Sequence, residues 1–213
     1  MGRVSREKSL ELLAEAFRAL VDDGADVSLA VIGDGPYRGE MEQALSGYPA
    51  LFTGYLQGEE LQRAYASADL FVFPSATDTF GNVVLEAQAS GLPVIVSDAG
   101  GPRELMIDGE TGSVFPAGDK GEFLATLRRL TVERSKLPLM GKKARIFTLE
   151  KGPVAADTYS TILRTGGQTE SDTFPTGKSH YTAPDGLGLK GRRYSFKELN
   201  RNPKCPRSPQ ARS

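Results

Sequence analysis

Apolar residues Leu10, Leu13, Ala14, Phe17 and Leu20 recur every three to four positions. This spacing predicts a helix over residues 7–22 with one buried face. Ser5 and Glu7 supply its N-terminal signal, and Gly24 a stop. The period then changes. Residues 27–32 form a β-branched run ending at Gly33, which predicts a buried strand. Gly33-Asp34-Gly35 is a turn, and Pro36 suits the first position of a following helix. Further strands are expected at residues 51–52, 70–73, 94–96 and 112–115. Helices are expected at 59–66, 83–89, 103–106, 120–130 and 139–149, with 154–163 continuing the helical set. Leu61, Ala64 and Tyr65 would face inward from the helix at 59–66.

Strands that alternate with helices predict a parallel sheet covered on both faces. The expected fold class is α/β, a doubly wound, Rossmann-like parallel sheet. Such folds bind ligands beyond the carboxyl ends of their strands. The loops there are residues 33–36, 53–55, 74–82 and 97–102, where glycine and polar residues concentrate.

The loop at 74–82 carries the most chemistry. An apolar strand leads through Pro74-Ser75-Ala76-Thr77-Asp78-Thr79 into Phe80-Gly81-Asn82, where a helix opens, and Glu86 follows one turn later. A helix start offers backbone N–H groups and a positive dipole end, which suit a phosphate. Carboxylates beside a phosphate would repel it, but they suit sugar hydroxyls, which donate strong hydrogen bonds to charged acceptors. The pattern points to a phosphate flanked by two polyols, as in a nucleotide sugar. Taken alone, Asp78 and Glu86 also fit a cap acid and a first-turn acid that complement the helix dipole. Lys8 alone also fits a solvated lysine.

Composition narrows the class. The 213 residues suffice for one domain with a real core, and the net charge of −1 makes no global case for nucleic acid. No apolar run approaches the ~20 residues of a membrane span. Cys205 is the single cysteine, which excludes an internal disulfide or a cysteine-based metal site. A cytoplasmic location is expected, with a peripheral position on the inner face of a membrane left open. The charge is uneven. Nine Lys and Arg against four acids leave residues 166–213 at +5, so the rest of the chain carries −6. That stretch is rich in Gly, Pro and Ser and is expected to be disordered or loosely packed. It fits a solvated tail or a basic arm for anionic lipid or nucleic acid. His180, within it, is not expected to be catalytic.

Several pieces, in order and spacing, resemble the nucleotide-sugar-binding half of the retaining, family 4 (group 1) glycosyltransferases of GT-B fold. They are Gly2-Arg3-Val4-Ser5-Arg6-Glu7-Lys8, Val31-Ile32-Gly33-Asp34-Gly35-Pro36, Phe52-Thr53-Gly54-Tyr55-Leu56, residues 74–94, Gly100-Gly101-Pro102-Arg103-Glu104 and Asp108-Gly109-Glu110-Thr111-Gly112. The resemblance covers residues 2–164. It implies a donor-binding domain over residues 1–164 and a separate tail over 165–213.

The resemblance also implies roles. Asp78 would hold donor-sugar hydroxyls, at a position where the family more often has Glu. Glu86 would hold the ribose. Arg3 and Lys8 would neutralise the diphosphate. Gly81, Asn82 and Val83 would supply backbone N–H groups near the phosphate or sugar, and Tyr55 and Leu56 would lie beside the base, although Tyr55 equally fits a core position. The donor would be a nucleoside diphosphate sugar, UDP- or GDP-linked, with no cofactor and no metal. Two departures stand out. The family has an apolar strand directly before Gly2-Arg3, and it has a separate N-terminal domain that binds the carbohydrate or lipid-linked acceptor. The chain is therefore expected to be a fragment or a split gene product. A non-catalytic nucleotide-sugar-binding or interaction module is the alternative.

A dinucleotide-dependent oxidoreductase fits poorly. Gly33-Asp34-Gly35-Pro36-Tyr37-Arg38-Gly39 places its third glycine one position late, and Pro36 removes an N–H where pyrophosphate would bind. The motif order also disfavours a nucleotide-sugar epimerase.

Overall fold

The computed structural model describes residues 2–151. The helix expected at 154–163, the domain boundary at 164 and the basic tail lie outside them.

Six short strands alternate with helices. They are β1 (Gly2–Arg3), β2 (Leu29–Asp34), β3 (Ala50–Gly54), β4 (Phe71–Phe73), β5 (Val94–Ser97) and β6 (Gly112–Phe115). The α-helices are α1 (Leu10–Asp22), α2 (Arg38–Ala44), α3 (Gly58–Ala66), α4 (Asn82–Ala89), α5 (Lys120–Val132) and α6 (Leu137–Lys151). All strand pairs are parallel, and the class is α/β as expected. The ladders form two three-stranded sheets, ordered β1-β2-β3 and β4-β5-β6. The two residues of β1 pair with Gly33 and Asp34, and among the described residues no ladder joins β1 to β4.

One apolar cluster nevertheless ties the two sheets together. Phe17 and Leu20 of α1, Val31 of β2, Ile95 of β5, Phe115 of β6 and Phe123 of α5 belong to it. Phe115 and Phe123 meet with ring centroids 4.6 Å apart, a tilted aromatic contact. A second cluster, which includes Tyr65, Leu85, Val94 and Val96, packs α3 and α4 against β5. The expected run at 94–96 is thus the most buried strand, with every residue of Val94–Ser97 enclosed. The apolar Phe71–Phe73 of β4 stays half-buried throughout, because only β5 pairs with it.

The first expected helix is broken. Residues Arg6–Lys8 form a 3-10 turn, Ser9 takes a left-handed conformation with φ 54°, and α1 starts at Leu10. Ser9 is the one non-glycine at positive φ among the described residues. That conformation costs about 1–2 kcal/mol for a residue with a Cβ. It takes Lys8 out of the helical register of α1. The helix expected after Pro36 likewise begins later, at Arg38, with Pro36 in the preceding turn.

Candidate functional site

The site is assembled at the carboxyl ends of β1, β2, β4 and β5. Two loops cross first. The Val4 amide donates to the Asp34 carbonyl at 2.9 Å, and the Tyr37 amide donates to the Val4 carbonyl at 3.1 Å. This crossing explains the glycine at 35. A Cβ there would overlap the Val4 carbonyl oxygen and lie 2.9 Å from the Val4 nitrogen. The turn between β2 and α2 is thereby locked to the segment that carries Arg3 and Lys8.

Beyond the crossing, Val4 and Ser5 are buried, and the Ser5 hydroxyl donates to Glu7 Oε1 at 3.0 Å. The Thr77 hydroxyl donates to the Glu7 carbonyl at 3.2 Å, which brings the loop after β4 alongside the 3-10 turn. Lys8 Nζ then pairs with Asp78 Oδ1, seventy positions away in the chain. The two side chains are 20% and 18% exposed, so the pair is partly withdrawn from water. Lys8 Nζ also lies 5.9 Å from the centre of the Phe73 ring. Asp78 Oδ2 is buried and has no hydrogen-bond partner among the described residues. A buried carboxylate oxygen without a donor costs free energy, so it calls for an explanation.

Glu86 stands on α4. The Tyr65 hydroxyl donates to its Oε2 at 3.0 Å. Tyr65 itself is buried on α3, against Phe71. Gly81 caps α4, and its carbonyl accepts from the Val84 amide at 2.8 Å. Asn82 and Val83 form the first turn, where helix N–H groups have no partner within the helix itself. Asn82 is exposed, Val83 is half-buried and Gly81 is buried.

The remaining expected residues separate. Arg3 is exposed at the end of β1. Tyr55 is 58% exposed, and its hydroxyl donates to the Asp34 carbonyl at 3.0 Å, whereas Leu56 is buried. Tyr55 is therefore a surface residue rather than a core one. Arg38 bridges Asp34 and Glu42, and its hydrogen bond to Glu42 holds its pKa above the ordinary arginine value. The geometry thus joins Lys8 to Asp78 directly and Tyr55 to the β2–α2 turn. Sequence reasoning did not find Tyr65 as the partner of Glu86. Its inward helical position was visible, but nothing local marks which acceptor an inward tyrosine reaches. Among the described residues no cluster of three or more His, Cys, Asp or Glu could hold a metal ion. No described helix is long and apolar enough to cross a membrane.

The site thus sets a basic turn against an acidic loop, with the second carboxylate, Glu86, on the helix that the loop enters. The family profile described as Glycosyl transferases group 1 matches residues 1–132. The chain belongs to the group 1 glycosyltransferases. It is 45% identical over 148 residues to the sulfoquinovosyl transferase SQD2 of Arabidopsis thaliana, covering 68% of this chain and 28% of that one. It is 40% identical over 145 residues to a GDP-mannose-dependent alpha-mannosyltransferase of Mycobacterium tuberculosis, covering 68% and 36%. The chain therefore spans about a third of the length of these glycosyltransferases. In fold it matches the solved C-terminal domain of a group 1 family glycosyl transferase (LpcC) from Francisella tularensis. The TM-score is 0.65 at 22% identity, with 72% of this chain and 84% of that domain covered. The group 1 chain thus carries the Rossmann-like α/β fold of a GT-B half.

Proposed function

We propose that this group 1 chain is the donor-binding half of a retaining hexosyltransferase. It takes a nucleoside diphosphate sugar, UDP- or GDP-linked, and works with an acceptor-binding domain that lies outside these residues. The observation that carries the reading is the Lys8–Asp78 pair with its orphaned Asp78 Oδ2. A cation for a diphosphate and an acceptor for sugar hydroxyls stand side by side, and one carboxylate oxygen is still without a donor.

In the reaction, the bond between the anomeric carbon and the diphosphate oxygen breaks, and its electron pair leaves on the diphosphate. A bond forms from the acceptor oxygen to that carbon, and the acceptor's proton passes to the departing diphosphate oxygen. Lys8 and Arg3 stabilise the charge that grows on the departing diphosphate, an interaction stronger in the transition state than in the ground state. Asp78 fixes the sugar through its hydroxyls and so holds the anomeric carbon with the face the diphosphate leaves turned to the acceptor, as retention requires. Glu86, held by Tyr65, accepts from the ribose. The N–H groups of Asn82 and Val83, behind Gly81, face the phosphate or sugar, and Tyr55 and Leu56 flank the base. The relative named for GDP-mannose supports a nucleoside diphosphate donor. The acceptor is a carbohydrate or a lipid-linked molecule, bound through the acceptor-binding domain.

Isothermal calorimetry with UDP, GDP, UDP-glucose and GDP-mannose tests this. At least one nucleotide sugar should bind, and an Asp78→Ala/Glu86→Ala variant should lose that binding while staying folded. No binding at millimolar concentration by the parent chain would sink the donor-site reading.

A second reading is a nucleotide-sugar-binding module without catalysis. Donor hydrolysis on co-expression with an acceptor-binding half separates the two.

A further inference from the structure

The loop after β5 reaches across to the acidic loop after β4, and the contact is nearly all backbone. The Gly101 amide donates to the Asp78 carbonyl at 2.8 Å. The Ser97 hydroxyl donates to the Ser75 carbonyl at 2.7 Å, and both serines are fully buried. Gly100 has φ +82°, and a Cβ on it would lie 2.6 Å from the Asp78 carbonyl oxygen. A Cβ on Gly101 would collide with the Thr79 carbonyl oxygen and sit 2.6 Å from the Thr79 carbonyl carbon. Pro102 then closes on the helix start, 3.1 Å from where a Cβ on Gly81 would be. Backbone atoms cannot swing aside as a long side chain can. The acidic loop can occupy this place only while positions 100 and 101 carry no side chain.

We propose that Gly101, with Gly100 and Ser97, is the positioning element for the Asp78 carboxylate. The segment 97–101 acts as a template that presses residues 75–79 into the one path that brings Asp78 to Lys8 and keeps Oδ2 clear of protein donors. The inference rests on the reading of Asp78 as the acceptor for donor-sugar hydroxyls, and it assigns a second loop to the precision of that contact. Gly101 touches no substrate. It acts through Asp78. The glycine pair is therefore a determinant of sugar placement rather than of nucleotide affinity.

A ligand-free double-mutant cycle provides the first test. Lys8→Met, Asp78→Asn and the double variant are unfolded in urea, in the parent and in a Gly101→Ala background. The parent should show a coupling between positions 8 and 78, and Gly101→Ala should abolish it. Ser97→Ala, which removes one hydrogen bond without adding bulk, should at least halve the coupling, and it serves if Gly101→Ala fails to fold. Gly39→Ala, which adds a Cβ in open space on α2, should leave the coupling unchanged. A coupling that persists in both loop variants, or is absent from the parent, overturns the proposal.

The second arm uses GDP with GDP-mannose, and UDP with UDP-glucose. Gly101→Ala should remove the affinity gained from the sugar, with less than a threefold change for the bare nucleotide. In an Asp78→Ala background it should change neither. If the cycle behaves as expected but Asp78→Ala leaves the sugar contribution intact, the sugar role of Asp78 fails and the positioning by Gly101 stands.

Discussion

Lys8 Nζ and Asp78 Oδ1 form an ion pair across seventy positions of chain, and the other oxygen of the same carboxylate has no described partner. The pair is asymmetric in what each removal leaves behind. Lys8→Met strands a partly buried carboxylate with both oxygens unpaired, so it should cost about 1–3 kcal/mol of stability. Asp78→Ala removes the orphaned oxygen as well, and the flexible lysine can extend to water. Its cost should stay below about 1 kcal/mol. Urea unfolding of the two variants checks the order. Equal losses, or a larger loss for Asp78→Ala, would show that the orphaned oxygen carries no penalty.

Tyr65→Phe tests the support of Glu86. The ring stays in its buried place against Phe71, and only the hydroxyl that donates to Glu86 Oε2 is lost. Stability should fall by about 1 kcal/mol. Because Glu86 is assigned to the ribose, GDP and GDP-mannose should weaken by the same factor, as should UDP and UDP-glucose. A loss confined to the nucleotide sugar in calorimetry would move Glu86 to the sugar side of the site.

Two glycines four positions apart should respond with opposite signs. Gly35→Ala drives a methyl group into the Val4 backbone at the loop crossing, and it should destabilise by about 1–3 kcal/mol. Gly39→Ala lies within α2, with nothing within 4 Å, and should stabilise by about 0.5–1 kcal/mol. Thermal unfolding distinguishes them. A stabilising Gly35→Ala would mean that the crossing is loose.

Burial raises the pKa of the Tyr37 phenol above the usual 10.0, with Glu11 adding in the same direction and the Arg6 guanidinium opposing. The folded state therefore holds this proton more tightly than the unfolded chain does. Its contribution to stability is complete below pH 10 and is lost as pH rises through the folded-state value. Ultraviolet titration should show a tyrosine that ionises late, and Tyr37→Phe should remove both that step and the matching alkaline loss of stability.

Strands and helices were legible wherever one local signal sufficed. The run Val94-Ile95-Val96 is apolar on both faces because β5 is paired on both sides and covered by two clusters. The stop after α1 was legible at Gly24, which takes φ +84°. The break at Ser9 was not. Serine is no special favourite for left-handed backbone, and the apolar period runs on into α1 without marking it. The acidic pair was visible as chemistry because Asp78 and Glu86 lie in one short stretch, but its partners come from elsewhere in the chain. Lys8 is joined to Asp78 by the fold, Tyr65 is joined to Glu86 from the preceding helix, and Gly101 reaches Asp78 from the next loop. Periodicity reports which face is buried, not which distant atom a polar group meets there.

The division of the sheet also affects how the chain behaves in solution. Two three-stranded ladders have four edges where one continuous sheet has two. The inner pair is the apolar one. Among the described residues, the Leu29–Ile32 portion of β2 has no ladder partner on the β1 side, and β4 offers half-buried Phe71, Val72 and Phe73 on the side away from β5. Edges of this kind template pairing with whatever strand arrives. For a polypeptide of residues 2–151 the expected outcome is self-association that rises with protein concentration, read by light scattering below the melting temperature.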